Sequence, residues 1–563
     1  MTAAIYFHPE AYTTTGPKLM GRNAAGESFI RGFLEHSSER STIYAQVETA
    51  EHGAAFQELA AKYNRSGEVE TFTRSELIKA KSPGVVFHPG PGINKPAFDR
   101  SVFGDNSWAL CGITHTTSSA NAMDSIADIL TAPIQPWDAL ICPSNAVKKN
   151  VETVLQAQAN YLKERLGITN LVLPLLPVIP LGIHTKDFRP SSDKRILARE
   201  QLDIKPDDIV VLYTGRLSFH AKANPLPMYQ ALESAYKLTK KSIVLIECGW
   251  HSNEFIKNAF TQASNVISPS VKTLLVDGRD SNIRSLAWAC ADIFCSLPDN
   301  IQETFGIVPL EAMSAGLPVI VSDWNGYKDS VRDGLDGFRI ATTAPAPGST
   351  QDLADRYALS LDSYDRYIGY SSSLVGVDLV KLTDSFCQLI NSKDLRIKMG
   401  LSGLERSTSL YDWKYIINKY EELWREQQSI LNTESGAVES MEDGGHPRRS
   451  VRKVWPARLD PSVSFAHYST YHVTETTMLS CNFASYEEAI ERLTTLRGLD
   501  VVEFADAILP RDEDIQSLLH DAASVKDSKF PASIIISCNT DIERHKQFRS
   551  LSWLLKMGFF FVP

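Results

Sequence analysis

No stretch of this sequence reads as a membrane span, because no apolar run approaches the ~20 residues that crossing a bilayer takes. It also lacks a CxxC pair and any Cys/His spacing suited to zinc. Its eight cysteines, among them Cys111, Cys142, Cys248, Cys290 and Cys295, are scattered through apolar stretches. That excludes a disulfide framework and points to buried free thiols of a cytoplasmic protein. Positive charge is in short supply too: the net charge is −10, which argues against nucleic acid as the main partner. The opening Met1-Thr2-Ala3-Ala4-Ile5-Tyr6-Phe7-His8 has no basic segment ahead of a long apolar core, so it reads as a first β-strand rather than a signal peptide.

What is present is ordinary globular composition, 43% hydrophobic and 22% charged, over 563 residues. That length exceeds one core and predicts two to four domains. The first part alternates strand and helix. Ala3–His8 is a strand, and a glycine-bearing loop from Gly16 to Asn23 leads to a helix over about Gly26–Glu35. Gly84–His88, Ser107–Thr114 and Trp137–Ser144 are further strands; the second delivers His115 to its carboxyl end, and Ser144 caps a helix starting at Asn145. A second α/β half opens with Ile209–Thr214, a run apolar enough to be buried on both faces of a sheet, and continues through Ser242–Glu247, Val271–Val276, Asp292–Ser296 and Pro318–Ser322.

The stretch from Leu297 to Gly316 organises this half. It is a polar loop with Glu303, then Phe305-Gly306, then a short helix carrying Glu311. Pro309 is tolerated in the first helical turn and Gly316 suits the stop. Flanked by two apolar strands, the loop belongs to a βαβ unit, and ligands of such sheets sit beyond the carboxyl ends of strands. The amides of Thr304, Phe305, Gly306, Ile307 and Val308 suit an anion. Arg216, two residues past Thr214, and Lys222 fit phosphate oxygens, the arginine as a planar fork and the lysine as a point charge. An exposed salt-bridging pair fits the same two residues. Glu303 and Glu311, with seven residues between them, can accept hydrogen bonds from vicinal hydroxyls. A helix-terminal acid beside a solvent-facing one fits that spacing equally. By its place alone, His115 is a capped loop histidine.

Together, Tyr213-Thr214-Gly215-Arg216-Leu217 with Lys222, the block Pro298–Gly316, and Pro318–Asp323 with Gly326 resemble glycosyltransferase family four, the glycosyl transferases group 1, with a B-type fold. Val178–Ile183 and the Asp412-Trp413 helix opening are similar to the family's interdomain segment and closing helix. The resemblance implies two Rossmann-like α/β domains facing a cleft: residues 1–185 on the acceptor side, 186–410 on the donor side, and a helix over 411–428 crossing back. It implies a retaining hexosyltransferase that moves a sugar from a nucleotide-diphosphate sugar to a carbohydrate or lipid-linked glycan. His115, Glu303, Arg216 and Lys222 then serve catalysis. Arg216, Lys222, Val276, Thr304, Phe305, Gly306, Ile307, Val308 and Glu311 bind the donor, and Gly21 belongs to an acceptor or phosphate loop. Glu303 meets the transferred sugar and Glu311 the ribose. Ala223-Asn224 stands where the family usually has glycine, and Lys222 lies one residue further from Arg216 than is common; His220 is a partial substitute.

Two cations and a helix terminus can neutralise a diphosphate, so no metal and no cofactor are expected, only the nucleotide-sugar co-substrate with its base unassigned. The other readings are a nucleotide-sugar or glycan-binding module without catalysis, and a synthase with a sugar-phosphate acceptor. Residues 429–455 read as a linker. Its basic cluster, His446–Lys453, is a solvated segment or a peripheral contact with an anionic membrane. Residues 456–563 form a smaller α/β accessory domain, a candidate for homo-oligomer contacts. Expected there are strands at Met478–Phe483, Val501–Phe504, Ala532–Ser537 and Gly558–Val562, and helices at Tyr486–Leu496, Asp514–Ala523 and His545–Met557. The triplet Asp512-Glu513-Asp514 reads as an acidic first helical turn, not a metal site. The chain ends on an apolar strand, which either docks within this domain or leads into further sequence.

Overall fold

The computed structural model describes residues 3–12, 21–38, 42–63, 65, 67–189, 191–440, 455–536 and 540–563. The loop over 13–20 and the basic cluster at 446–453 lie outside them. The chain divides into two compact units, Met1–Trp455 and Pro456–Pro563.

The first unit contains two six-stranded sheets. In the first, β1 (Ala4–Phe7), β2 (Ile43–Val47), β3 (Val69–Phe72), β4 (Val85–Phe87), β5 (Ala109–Ile113) and β6 (Ala139–Ile141) lie in the order β3-β2-β1-β4-β5-β6. In the second, β7 (Ile209–Arg216), β8 (Ile243–Trp250), β9 (Lys272–Asp277), β10 (Ile293–Ser296), β11 (Val319–Ser322) and β12 (Gly337–Ile340) lie in the order β9-β8-β7-β10-β11-β12. Every pairing in both sheets is parallel. Each sheet is therefore doubly wound, with a crevice where the order reverses: between β1 and β4, and between β7 and β10. The central strands carry the apolar runs, as burial on both faces demands; Val210, Val211, Leu212, Ile293, Phe294 and Cys295 are fully buried.

After the second sheet the helix Trp413–Ser440 returns to the first domain. Trp413 fills a slot between two glycines: a Cβ on Gly32 would stand 2.5 Å from its ring, and one on Gly182 2.4 Å. Its indole N–H donates to Ser28 Oγ at 2.8 Å. Farther along, Tyr420 packs on Phe29 and Phe87, and Trp424 on Phe33. Gln427 Nε2 donates to the carbonyls of Leu110 and Trp137, each at 2.8 Å. The linker expected from residue 429 is corrected here, because the helix runs on to Ser440. Ile430 and Leu431 pack against the first domain's core, and that contact carries the helix past the polar composition that suggested a linker.

The second unit has a small antiparallel sheet, β16-β15-β17, made of β15 (Met478–Cys481), β16 (Phe530–Pro531) and β17 (Phe560–Phe561). Two short strands, β13 (Thr342–Thr343) and β14 (Gly376–Val377), pair separately in the first unit. In the second unit, the helices Tyr486–Arg497, Asp512–Ala523 and Asp541–Lys556 enclose a core that includes Leu479, Leu493, Leu518, Leu551 and Phe559. Three strand expectations are corrected. Val501–Phe504 lies in a short helix over Asp500–Glu503 and the turn after it. Of its apolar residues only Val502 is buried, while Val501 and Phe504 face solvent, so no sheet could use the run on both faces. Ala532–Ile534 is a 3-10 turn closed by Ile535 N–H on the Ala532 carbonyl, with Ser537 outside the described residues. The terminal strand shortens to Phe560–Phe561. No described helix is long and apolar enough to cross a membrane, and the seven described cysteines are free thiols.

Candidate functional site

The crevice of the second sheet receives two loops, one from β7 and one from β10. Gly215, with φ +144°, turns the end of β7 so that Arg216 follows it. The guanidinium donates to the Ala221 carbonyl at 3.1 Å and to Gln302 Oε1 at 3.2 Å. Lys222 Nζ lies 2.6 Å from Glu303 Oε2. Arg216 and Lys222, from the end of β7 and the loop after it, thus meet Gln302 and Glu303 of the β10 loop, some eighty residues away in sequence.

The β10 loop is held by its own polar residues. Asn300 Nδ2 donates to the His220 carbonyl at 2.7 Å, Trp324 Nε1 to the Asn300 carbonyl at 3.0 Å, and Ser322 Oγ to the Pro298 carbonyl at 2.7 Å. Phe305 is buried, and Gly306 has φ +79° with no room for a side chain, since a Cβ there would lie 1.7 Å from the Tyr327 ring. The helix Val308–Ser314 follows, with Pro309 in its first turn and Gly316 at φ +77° beyond it.

The first domain closes on this loop. Thr304 Oγ1 donates to the His115 carbonyl at 2.8 Å, and Ser144 Oγ donates to the Thr304 carbonyl at 2.8 Å. Ser144 also accepts from Val147 N–H at 3.3 Å, so one hydroxyl caps the helix Asn145–Leu166 and holds the opposing loop. The Asn145 N–H reaches Asp329 Oδ2 at 2.7 Å. His115 is therefore beside the loop through its backbone. Gly21 opens the helix Gly21–His36, and Val276 lies near the end of β9, half-buried.

Three carboxyl groups here are pushed up to about 7 by burial. Glu311 lies on the helix after the loop, largely enclosed by protein yet still touching solvent; the charges of Arg284 and Lys222 pull it the other way. Asp299 is 4% exposed, with a weak 3.4 Å hydrogen bond from Asn224 N–H and nothing on its second oxygen. Glu247 accepts from the Tyr229 hydroxyl at 2.8 Å, and its other oxygen has no partner. It borders a cavity of about 10 Å³, room for one water. The sequence reading missed Asp299, Glu247, Gln302 and Arg284. Glu247 had a signal, an acid inside an apolar strand run. The others became visible only through tertiary contacts. His220 presents its carbonyl to Asn300 while Lys222 itself reaches Glu303.

Two doubly wound domains with a cation-carboxylate cluster at the second crevice define the B-type two-domain α/β class. Residues 194–365, about a third of the chain, match the family model described as Glycosyl transferases group 1. The lipopolysaccharide 1,2-N-acetylglucosaminetransferase of Salmonella typhimurium is 24% identical over 31% of this chain and 46% of its own length. An Escherichia coli UDP-Gal:alpha-D-GlcNAc-diphosphoundecaprenol alpha-1,3-galactosyltransferase is 32% identical over 29% of this chain and 41% of its own. This chain thus spans under half the length of these curated relatives. The structure of Anabaena HepE in complex with UDP covers 75% of this chain and 98% of that one, at 15% identity and a TM-score of 0.46.

Proposed function

We propose that this protein is a retaining glycosyltransferase that moves a sugar from a nucleoside-diphosphate sugar to a carbohydrate or lipid-linked glycan acceptor. The observation that carries this reading is the 2.6 Å pair of Lys222 and Glu303 beside Arg216, at the crevice of the second sheet. Galactosyl and N-acetylglucosaminyl transfer, named for the two relatives, support it.

The cluster suits an exchange of partners. A bound diphosphate competes for the Lys222 ammonium and the Arg216 fork, both now engaged within the protein. Release of Lys222 frees the Glu303 carboxylate to accept from hydroxyls of the transferred sugar. Glu311, titrating near neutrality, meets the ribose. Val276, with the turn that follows it, borders the base. As the anomeric carbon–oxygen bond loosens, positive charge grows on the sugar and negative charge on the departing phosphate. Arg216, Lys222 and the amides from Thr304 to Val308 stabilise that leaving group, a preorganised electrostatic contribution of several kcal/mol. The acceptor enters on the donor's own face, a phosphate oxygen takes its proton, and configuration is retained. His115 lines the reaction centre from the first domain. The two cations meet the diphosphate charge without a metal, so a saturating chelator leaves nucleoside-diphosphate affinity unchanged.

A panel of nucleotide sugars, scored by thermal shift and by nucleotide release in the presence of candidate acceptors, tests the reading. Donor-dependent stabilisation with release of nucleotide supports it. Binding without release from any donor favours a binding module, and release only with sugar phosphates favours a synthase. Full transfer by Glu303→Ala or Arg216→Ala sinks the site assignment.

A further inference from the structure

The first sheet carries a cluster that the transfer chemistry does not use. The Phe7↔Val47 pairing aligns the carboxyl ends of β1 and β2, so His8 and Glu48, each one residue beyond, are neighbours. Thr49 then caps the helix Ala50–Lys62 by accepting from His52 N–H at 3.2 Å, which fixes His52 in its first turn. The result is two imidazoles and a carboxylate whose ligand atoms all lie within 4.8 Å of one another, the one such His/Cys/Asp/Glu group among the described residues. His8 Nε2 is 3.9 Å from Glu48 Oε2, and the rings of His8 and His52 meet edge to face at 4.6 Å.

Two further observations separate this group from a chance surface cluster. Glu48 Oε1 accepts from the Tyr6 hydroxyl at 2.5 Å, which leaves Oε2 directed toward His8. Outer hydrogen bonds of this kind orient the ligands of metal sites. His52 Nδ1 is buried without a hydrogen-bond partner, so this ring belongs to the cluster with one of its polar atoms unsatisfied.

We propose that His8, Glu48 and His52 form a binding site for one divalent transition-metal ion of the zinc class. Two nitrogens and one oxygen suit zinc, whose three-ligand sites keep a fourth position for water or an incoming oxygen. Calcium and magnesium, which take oxygen donors, are disfavoured. Tetrahedral bonds of about 2.0–2.2 Å need the ligand atoms to close by roughly an ångström from the widest separations here. Histidine and glutamate rotations at the half-open edge supply that. The site stands on the geometry of the first domain and not on the transfer reading. Its residues are distinct from Arg216, Lys222 and Glu303, where no metal is invoked.

The test uses the full chain, stripped of metal and titrated with Zn²⁺ by calorimetry and with Co²⁺ by its visible d–d absorption. One equivalent should bind, with the intense bands of a four-coordinate ion, and Zn²⁺ should raise the melting temperature. His8→Gln and His52→Gln should abolish the saturable equivalent. Tyr6→Phe should weaken it on the order of tenfold while keeping the spectrum. Glu48→Gln, a change at a half-exposed position, guards against misfolding: it should keep the metal-free melting temperature and lose the Zn²⁺-induced rise. Absence of a saturable equivalent, octahedral Co²⁺ spectra, or weak binding unchanged by His8→Gln and His52→Gln overturns the proposal. Chelator should leave nucleoside-diphosphate affinity intact whether or not this site binds metal, so the two readings fail separately.

Discussion

The two Rossmann-like domains share a strand order and use its carboxyl edge differently. The second sheet gathers opposite charges in its crevice: Arg216 at the end of β7 and Lys222 in the loop after it, with Gln302 and Glu303 from the β10 loop. The first sheet offers histidines, serines and threonines at its edge, with the Glu48 carboxylate beside His8 and His52, and backbone carbonyls such as that of His115. A common topology thus fixes where a ligand sits, and the residues just past each strand fix which ligand. Under the proposed transfer, the concentrated charge would face the phosphates of the donor. The hydroxyls and histidines of the first sheet's edge would, under the same proposed transfer, face the acceptor.

The largest effect that would sharpen this contrast is structural. Trp413→Ala empties the slot between Gly32 and Gly182 and should cost ~3–5 kcal/mol in denaturant unfolding. A loss below ~1 kcal/mol would mean that the closing helix does not hold the first domain. Next comes the chemistry. Arg216→Ala should lower kcat for transfer by about 10²–10³-fold with secondary structure intact. His115→Ala should impair transfer while leaving nucleoside-diphosphate affinity within a fewfold. Equal loss of donor affinity in both variants would erase the division of labour between the domains.

Smaller in scale is a pH effect confined to the second domain. Glu247 is raised to about 7 when folded, so the folded state holds its proton over a range where the unfolded chain releases it. Its contribution to stability is therefore full below about pH 4.5, declines as pH rises, and is lost above about 7. Asp299 and Glu311 shift in the same direction. Glu247→Gln should flatten the fall in stability between pH 5 and 8 and gain up to roughly 3 kcal/mol at the alkaline end relative to wild type. A pH profile unchanged by the substitution would refute the assignment. Smallest is Ser144→Ala, which removes both a helix cap and a hold on Thr304. It should cost ~1 kcal/mol and raise the KM for donor or acceptor modestly, as steady-state kinetics would show.

Legibility from sequence followed the same division. In the second domain, long apolar runs marked β7, β8, β10 and β11. The charged residues stood just past them, where chemistry sits in such folds. In the first domain β2 and β3 escaped notice, being short and only partly buried; Val69–Phe72 buries a single residue. β12 was missed in the second, where Gly337–Ile340 carries an arginine in the middle of a four-residue run. The helix to Ser440 was misread because its last turns are polar, and only the docking of Ile430 and Leu431 reveals them. Asp299 and Arg284 act through partners distant in sequence, which no local pattern encodes.

The return of the chain through Trp413 has a mechanical consequence. Where the two domains join, Ile183 N–H donates to the Tyr411 carbonyl at 2.9 Å, and Trp413 N–H donates to the Ile183 carbonyl at 3.2 Å. Thr185 Oγ1 donates to Asp412 Oδ2 at 2.5 Å. The outgoing and returning segments are laced into a single two-ply strap instead of running as separate tethers. Each segment thereby fixes the other's register at the junction. The same strap that joins the domains holds them where Thr304 Oγ1 meets the His115 carbonyl.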